Sequence, residues 1–69
     1  MTPELLRQIG EALDSERWQT AMARRRGVAV RTIQRWDAEQ RAVPDLRVEL
    51  AADIDARIAE LRDLKRKLR

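Results

Sequence analysis

Five residues, Ala23, Gly27, Val28, Ile33 and Trp36, constrain the fold of this chain more tightly than any other feature of its sequence. Gly27 interrupts a run of strong helix formers, and glycine is the residue that tolerates the left-handed backbone of a tight helix exit. Two short helices crossing near a right angle need a small residue where they meet, which Ala23 supplies four residues before the glycine. Val28 is predicted to pin the turn from beneath. Ile33 and Trp36, three residues apart on one face, then fasten the second helix to the rest of the core.

Helical spacing extends to both sides of this unit. Thr2 is a suitable N-cap and Pro3 suits the first helical position, where its missing N–H costs nothing. Leu5, Leu6, Ile9 and Leu13 continue as a buried stripe, with Gly10 inside it to admit a neighbouring helix. Asp14-Ser15 predicts a break, with Ser15 as a cap. A second helix is expected from Glu16 or Trp18 to Arg26, with Trp18, Ala21 and Met22 facing inward. A third is expected from Val30 to Gln40, and a fourth from about Leu46 to Lys67 after the break at Pro44-Asp45. The expectation is an all-α, four-helix domain with a long C-terminal helix. Residues 1–45 would form one functional unit, with its crossed helices at about 19–38, and 46–69 the last helix. Both tryptophans read as core and not as stacking platforms.

A chain of 69 residues supports one modest core, burying only about 60% of its unfolded surface. It has no cysteine, so self-association is the remaining source of added stability. Met1–Ile9 lacks an apolar signal core and no apolar run reaches membrane-spanning length, which reads as a soluble, cytoplasmic protein. Catalytic parts are missing as well. There is no His, Cys or Tyr and no glycine-rich phosphate loop, and Asp53 and Asp55, two apart, fall on different helix faces. No enzyme activity, metal or cofactor is expected.

Charge is more informative in its distribution than in its sum of +3. Residues 1–16 carry −3, 17–41 carry +5 from seven arginines against two carboxylates, 42–61 carry −3, and 62–69 carry +4. Arginine's planar fork suits phosphate and guanine alike. The positions between the apolar anchors of the third helix, Arg31, Gln34 and Arg35, must face outward. An exposed Arg-Gln-Arg face fits a DNA major groove, where arginine pairs with guanine and glutamine with adenine.

Gln19-Thr20, then Ala23, Gly27-Val28, Ile33 and Trp36 resemble the helix-turn-helix of the phage Cro and CI-like repressors and of the small bacterial regulators built like them. The resemblance covers about residues 16–45. It departs from the usual pattern at Arg26, where leucine is common, at Ala29, where serine commonly caps, and at Glu39, where glycine is frequent. Arg26 would then cost an anchor or extend outward, and Glu39 would let the third helix run longer. The resemblance implies base reading by Val30, Arg31, Gln34 and Arg35, with Val30 touching a thymine methyl. It implies phosphate binding by Gln19 and Thr20, flanked by Arg24 and Arg41, with Arg17 behind them. Arg25 reads as solvated. A sequence-specific regulator of transcription binding double-stranded DNA is the implied function, with repression by occlusion of a promoter the simplest mechanism.

On the last helix, Leu50, Ile54, Leu61, Leu64 and Leu68 recur in steps of four, seven, three and four, with Ile58 beside the gap at Arg57. Val48 to Ile54 would pack on the protein's own core. Beyond Ile58 so small a domain has little left to cover, and Ile58, Leu61, Leu64 and Leu68 are expected to join a second copy, giving a homodimer for a palindromic site. The tail Arg62–Arg69 can follow phosphates, bind an acidic surface, or end as solvated helix, the last being preferred. Two rival functions stand beside this one: a helical interaction module such as an antitoxin or adaptor, and a basic amphipathic C-terminus on an anionic membrane. RNA binding is disfavoured by the absence of exposed aromatic residues.

Overall fold

The computed structural model describes Met1–Arg69, and the chain is helical without a strand. The elements in order are α1 (Pro3–Asp14), a 3₁₀ turn (Ser15–Arg17), α2 (Trp18–Arg26), α3 (Val30–Asp37) and α4 (Arg47–Lys67). No helix is long and apolar enough to cross a membrane.

Local chemistry accounts for most of the boundaries. The Thr2 hydroxyl accepts from the Leu5 amide at 3.2 Å, with Pro3 in the first turn. At the other end of α1, Ser15 takes a positive φ of 55° and its own N–H donates to the Glu11 carbonyl. Ser15 therefore terminates α1 and does not cap α2, which begins after Arg17 with no side-chain cap. Gly27 adopts φ 69°, ψ 31°, and the Val28 N–H returns to the Ala23 carbonyl at 3.0 Å. A Cβ at Gly27 would meet nothing, so the left-handed backbone alone selects glycine there.

The third helix is shorter than its expected end at Gln40. It stops at Asp37, because Glu39 takes the left-handed conformation at φ 61° and the Gln40 N–H closes on the Arg35 carbonyl at 2.9 Å. A glutamate thus fills the stop that glycine usually provides, at some cost in backbone strain.

Leu6, Trp18, Met22, Ala23, Ile33, Val43 and Leu50 form the buried core, and Met1, Ile9, Val28, Val30, Trp36 and Leu46 pack around it. Val28 and Trp36 thus hold the turn and α3 from the inside, while Ala23 sits buried between α2 and its neighbours. Gly10 admits a neighbouring helix as expected, through one side chain at the start of α2. A Cβ there would lie 2.3 Å from the Trp18 indole, so the glycine makes room for that ring. Val43 is a core residue that no periodic pattern announced, flanked as it is by Ala42 and Pro44.

Only the first part of α4 touches the body. Leu50 is fully buried and Ile54 half-buried, but Val48 is 80% exposed, contrary to the expectation that Val48 to Ile54 all pack inward. Two residues before Leu50, it lies on the opposite side of the helix. From Ile58 onward every residue is exposed. The molecule is accordingly elongated, 47 × 21 × 20 Å. Its radius of gyration is 13.3 Å, against about 11 Å for a compact chain of this length.

Candidate nucleic-acid interface

The outward face of α3 follows from what its inward face must do. Ile33 is fully buried and Trp36 packs on the core, which turns Arg31, Gln34 and Arg35 to the surface. Arg31 and Gln34 are exposed and Arg35 is half-exposed. Together with Ala38 and Gln40 they line one shallow groove. Gln40 was not among the sequence candidates, since it was expected to continue the helix. The reversal at Glu39 folds it back beside Arg35. Val30 is less available than expected: it packs partly against the core, leaving only an edge at the start of α3.

Ion pairing divides the arginines into two sets. Arg7 pairs with Asp37 at 2.8 Å, Arg26 with Asp53 at 2.9 Å, Arg47 with Asp45 at 2.8 Å and Arg57 with Asp14 at 3.7 Å, and Arg25 also pairs with Asp14. Arg17, Arg24, Arg31, Arg35 and Arg41 make no ion pair and no side-chain hydrogen bond. Arg25 is therefore bound to its own fold and not simply solvated, while its neighbour Arg24 is free. Arg26 does not extend outward either. Its side chain is 12% exposed and one terminal nitrogen reaches both oxygens of Asp53 on α4, where leucine would have packed.

The two carboxylates of the basic segment are treated differently. Asp37, at the end of α3, accepts from Arg7 Nε at 2.8 Å and from Gln19 Nε2 at 3.0 Å. The Arg7 guanidinium also donates to the Asp37 carbonyl at 3.3 Å, and its pKa is raised by the hydrogen bond and charge of Asp37. These bonds tie α1, α2 and α3 at one point, on the side of α3 away from Arg35. Gln19 was expected at a phosphate. Its amide instead engages Asp37, which makes it a residue that positions α3. Thr20 stays exposed in the first turn of α2. Glu39 remains exposed and unpaired at the rim.

Neither Arg17 before α2 nor Ala29 before α3 offers a side-chain cap; α2 continues from the 3₁₀ turn, and in α3 the Thr32 N–H donates to the Ala29 carbonyl at 2.9 Å. No group of His, Cys, Asp or Glu side chains is gathered as a metal ion requires. No protein family matches the chain, and no curated protein or solved structure does either.

Proposed function

We propose that α2, the Gly27 turn and α3 act as a helix-turn-helix, and that the chain is a sequence-specific transcriptional regulator of double-stranded DNA working as a homodimer in the cytoplasm. The observation that carries this reading is the sorting of the arginines. Those around α3 that point outward have no anion of their own, whereas those facing other elements are paired. An unpaired cationic edge gains most from phosphate, because no internal partner has to be given up.

In this reading α3 enters the major groove. Arg31, Gln34 and Arg35 read base edges, Gln40 lies within reach at the far end, and Val30 contributes an apolar edge. Arg24 and Arg41 contact phosphates on either side, with Thr20 and the uncapped amides of α2 supplying neutral donors. Ile58, Leu61, Leu64 and Leu68 join two copies, so that two α3 helices meet successive turns of a palindromic operator. A body this small occludes a promoter and thereby represses.

Selection of bound duplexes from a random pool at physiological salt tests the proposal directly. A palindromic consensus is expected. Arg31→Ala should then lose about 1–3 kcal/mol on that consensus and discriminate poorly at one position. No enrichment, with Arg31→Ala binding a protein partner as well as wild type, would favour an interaction module instead.

A further inference from the structure

We infer that the groove between α1 and α4 receives the C-terminal end of α4 from a second copy of this chain, so that the dimer is antiparallel and joins α1 as well as α4. The inference rests on the dimer reading above and extends it to a surface the sequence pattern did not indicate. The groove is lined by Leu5, Gln8, Ile9, Ala12, Leu13 and Ile54, all but one of them apolar. Leu5 is 44% exposed although it belongs to the apolar stripe of α1. Nothing in the chain itself covers this groove.

Its position beside the overhang of α4 is what selects the occupant. Met1 and Leu5 share a cleft with Asp45 and Arg47, and Asp14 approaches Arg57 at 3.7 Å, so α1 and the first part of α4 run side by side in the same direction. Past Arg57, α4 has no α1 beneath it. Leu61, Leu64 and Leu68 nevertheless continue the face of Leu50 and Ile54, and Leu68 is 87% exposed. Placing Leu61 of two antiparallel helices together sets Leu64 opposite Ile58 and Leu68 opposite Ile54, beside Ile9 and Ala12. Leu50 lies eleven residues from that point, so the two bodies would sit roughly 33 Å apart along α4 at about 1.5 Å per residue. That spacing is close to the roughly 34 Å between half-sites one DNA turn apart.

Charge points the same way. Residues 62–69 carry +4 and residues 1–16 carry −3. Lys65 and Arg69 are unpaired near the end of α4, whereas Glu11 shares a cleft with Ser15, Glu16 and Trp18 away from the groove, so the complementarity is one of net charge between segments. A parallel arrangement would set the two basic ends against each other. The antiparallel one sets each beside the partner's residues 1–16 and 42–61, each of net charge −3, and leaves only Lys65 opposite a like charge, Arg57.

Two sets of variants test this. The protein has no cysteine, so Ala12→Cys combined with Leu68→Cys introduces the only thiols. Within one chain these lie too far apart to join, since Leu68 is about 21 Å along α4 from the level of Ile54, whereas a disulfide needs Cα atoms within roughly 7 Å. Mild oxidation should give a covalent dimer from the double variant and not from either single one. Separately, Ala12→Lys, which puts a cation in the groove beside the partner's basic end, should weaken dimerisation roughly tenfold by sedimentation, because the two-fold axis makes each contact twice. Lys65→Glu with Arg69→Glu in that background should restore it. A chain that still dimerises but fails either readout overturns the groove assignment and leaves the dimer reading standing. A wild-type chain that stays monomeric at about 100 μM, or that binds anionic vesicles through residues 60–69 instead, overturns both, since Kd would then exceed the range of a working dimer.

Discussion

Arg24 and Arg25 are adjacent and chemically identical, yet their replacement by alanine should have opposite consequences for DNA binding. Arg24 is exposed with no ion pair, whereas Arg25 is held by Asp14 at the end of α1. If Arg24 and Arg41 each neutralise a phosphate, a dimer makes four such contacts, and log K should fall with log salt at a slope of about −3.6, taking about 0.9 per phosphate. Between about 50 and 200 mM salt that slope costs wild type roughly 150-fold in affinity. Arg24→Ala removes two contacts per dimer, so the slope should drop to about −1.8 and the loss over the same range to roughly tenfold. Arg25→Ala should keep the wild-type slope. It should instead lower stability by no more than about 1 kcal/mol, because the pair is partly exposed. That corresponds to roughly 4–8 °C in Tm for a domain of this size. Fluorescence anisotropy on a fixed duplex, measured well below both melting temperatures, separates the two. Equal flattening by Arg25→Ala, or a slope unmoved by Arg24→Ala, would refute the division of arginines into paired and free.

Other expectations concern the scaffold. Arg26 Nε and Nη1 are buried without a partner while Nη2 alone holds Asp53; Arg26→Ala should therefore destabilise by about 2–4 kcal/mol, and the apolar pair Arg26→Leu with Asp53→Leu should equal or exceed wild type in urea denaturation. Gly10→Ala would drive a methyl into the Trp18 indole, and a loss of about 1–3 kcal/mol with a shifted tryptophan emission is expected. Asp45 has its pKa lowered to about 2 by the hydrogen bonds from the Arg47 side chain and amide. A depressed carboxylate stabilises above its unfolded value and loses that contribution as pH falls. The start of α4 should thus loosen between about pH 4 and 2, followed by amide exchange at Arg47, and Asp45→Asn should remove the effect.

How far the sequence could be read depended on whether the cause was local. Thr2-Pro3, Gly27 and the Leu6, Trp18, Met22, Ile33 and Leu50 positions are each legible from one residue's backbone preference or from helical spacing. α2 and α4 consequently begin and end within a residue of the expected positions. Glu39 was misread for a physical reason: its left-handed turn is held by the Gln40 and Arg41 amides on the Arg35 carbonyl, and a glutamate gives no sign of accepting that conformation. Val48 is apolar and adjoins the apolar stripe, but two residues from Leu50 it falls on the other side of the helix. The ion pairs were invisible for another reason. Arg7 and Asp37 are thirty residues apart, Arg26 and Asp53 twenty-seven, and charges carry no periodicity from which a partner can be picked.

Those long-range pairs nevertheless decide what the basic segment can do. A segment with seven arginines in so small a chain would repel itself and collapse onto whatever carboxylates lie near. Here two of the seven, Arg25 and Arg26, are engaged by Asp14 and Asp53 on α1 and α4, where they hold the helices together. Asp37, on the side of α3 away from Arg35, is occupied by Arg7 from α1 and Gln19 from α2 and so holds α3 in place. Arg7 thus acts on the candidate interface without belonging to it. Removing it would leave Asp37 to Gln19 alone, loosen the seat of α3 on α1 and weaken DNA affinity from a position on the far side of α3. In the proposed dimer the acidic excess of residues 1–16 would have the complementary role, offering net charge of opposite sign to the basic end of a second copy. One charge pattern, alternating along the chain, would in this way serve the fold at its paired positions and two different partners at its free ones.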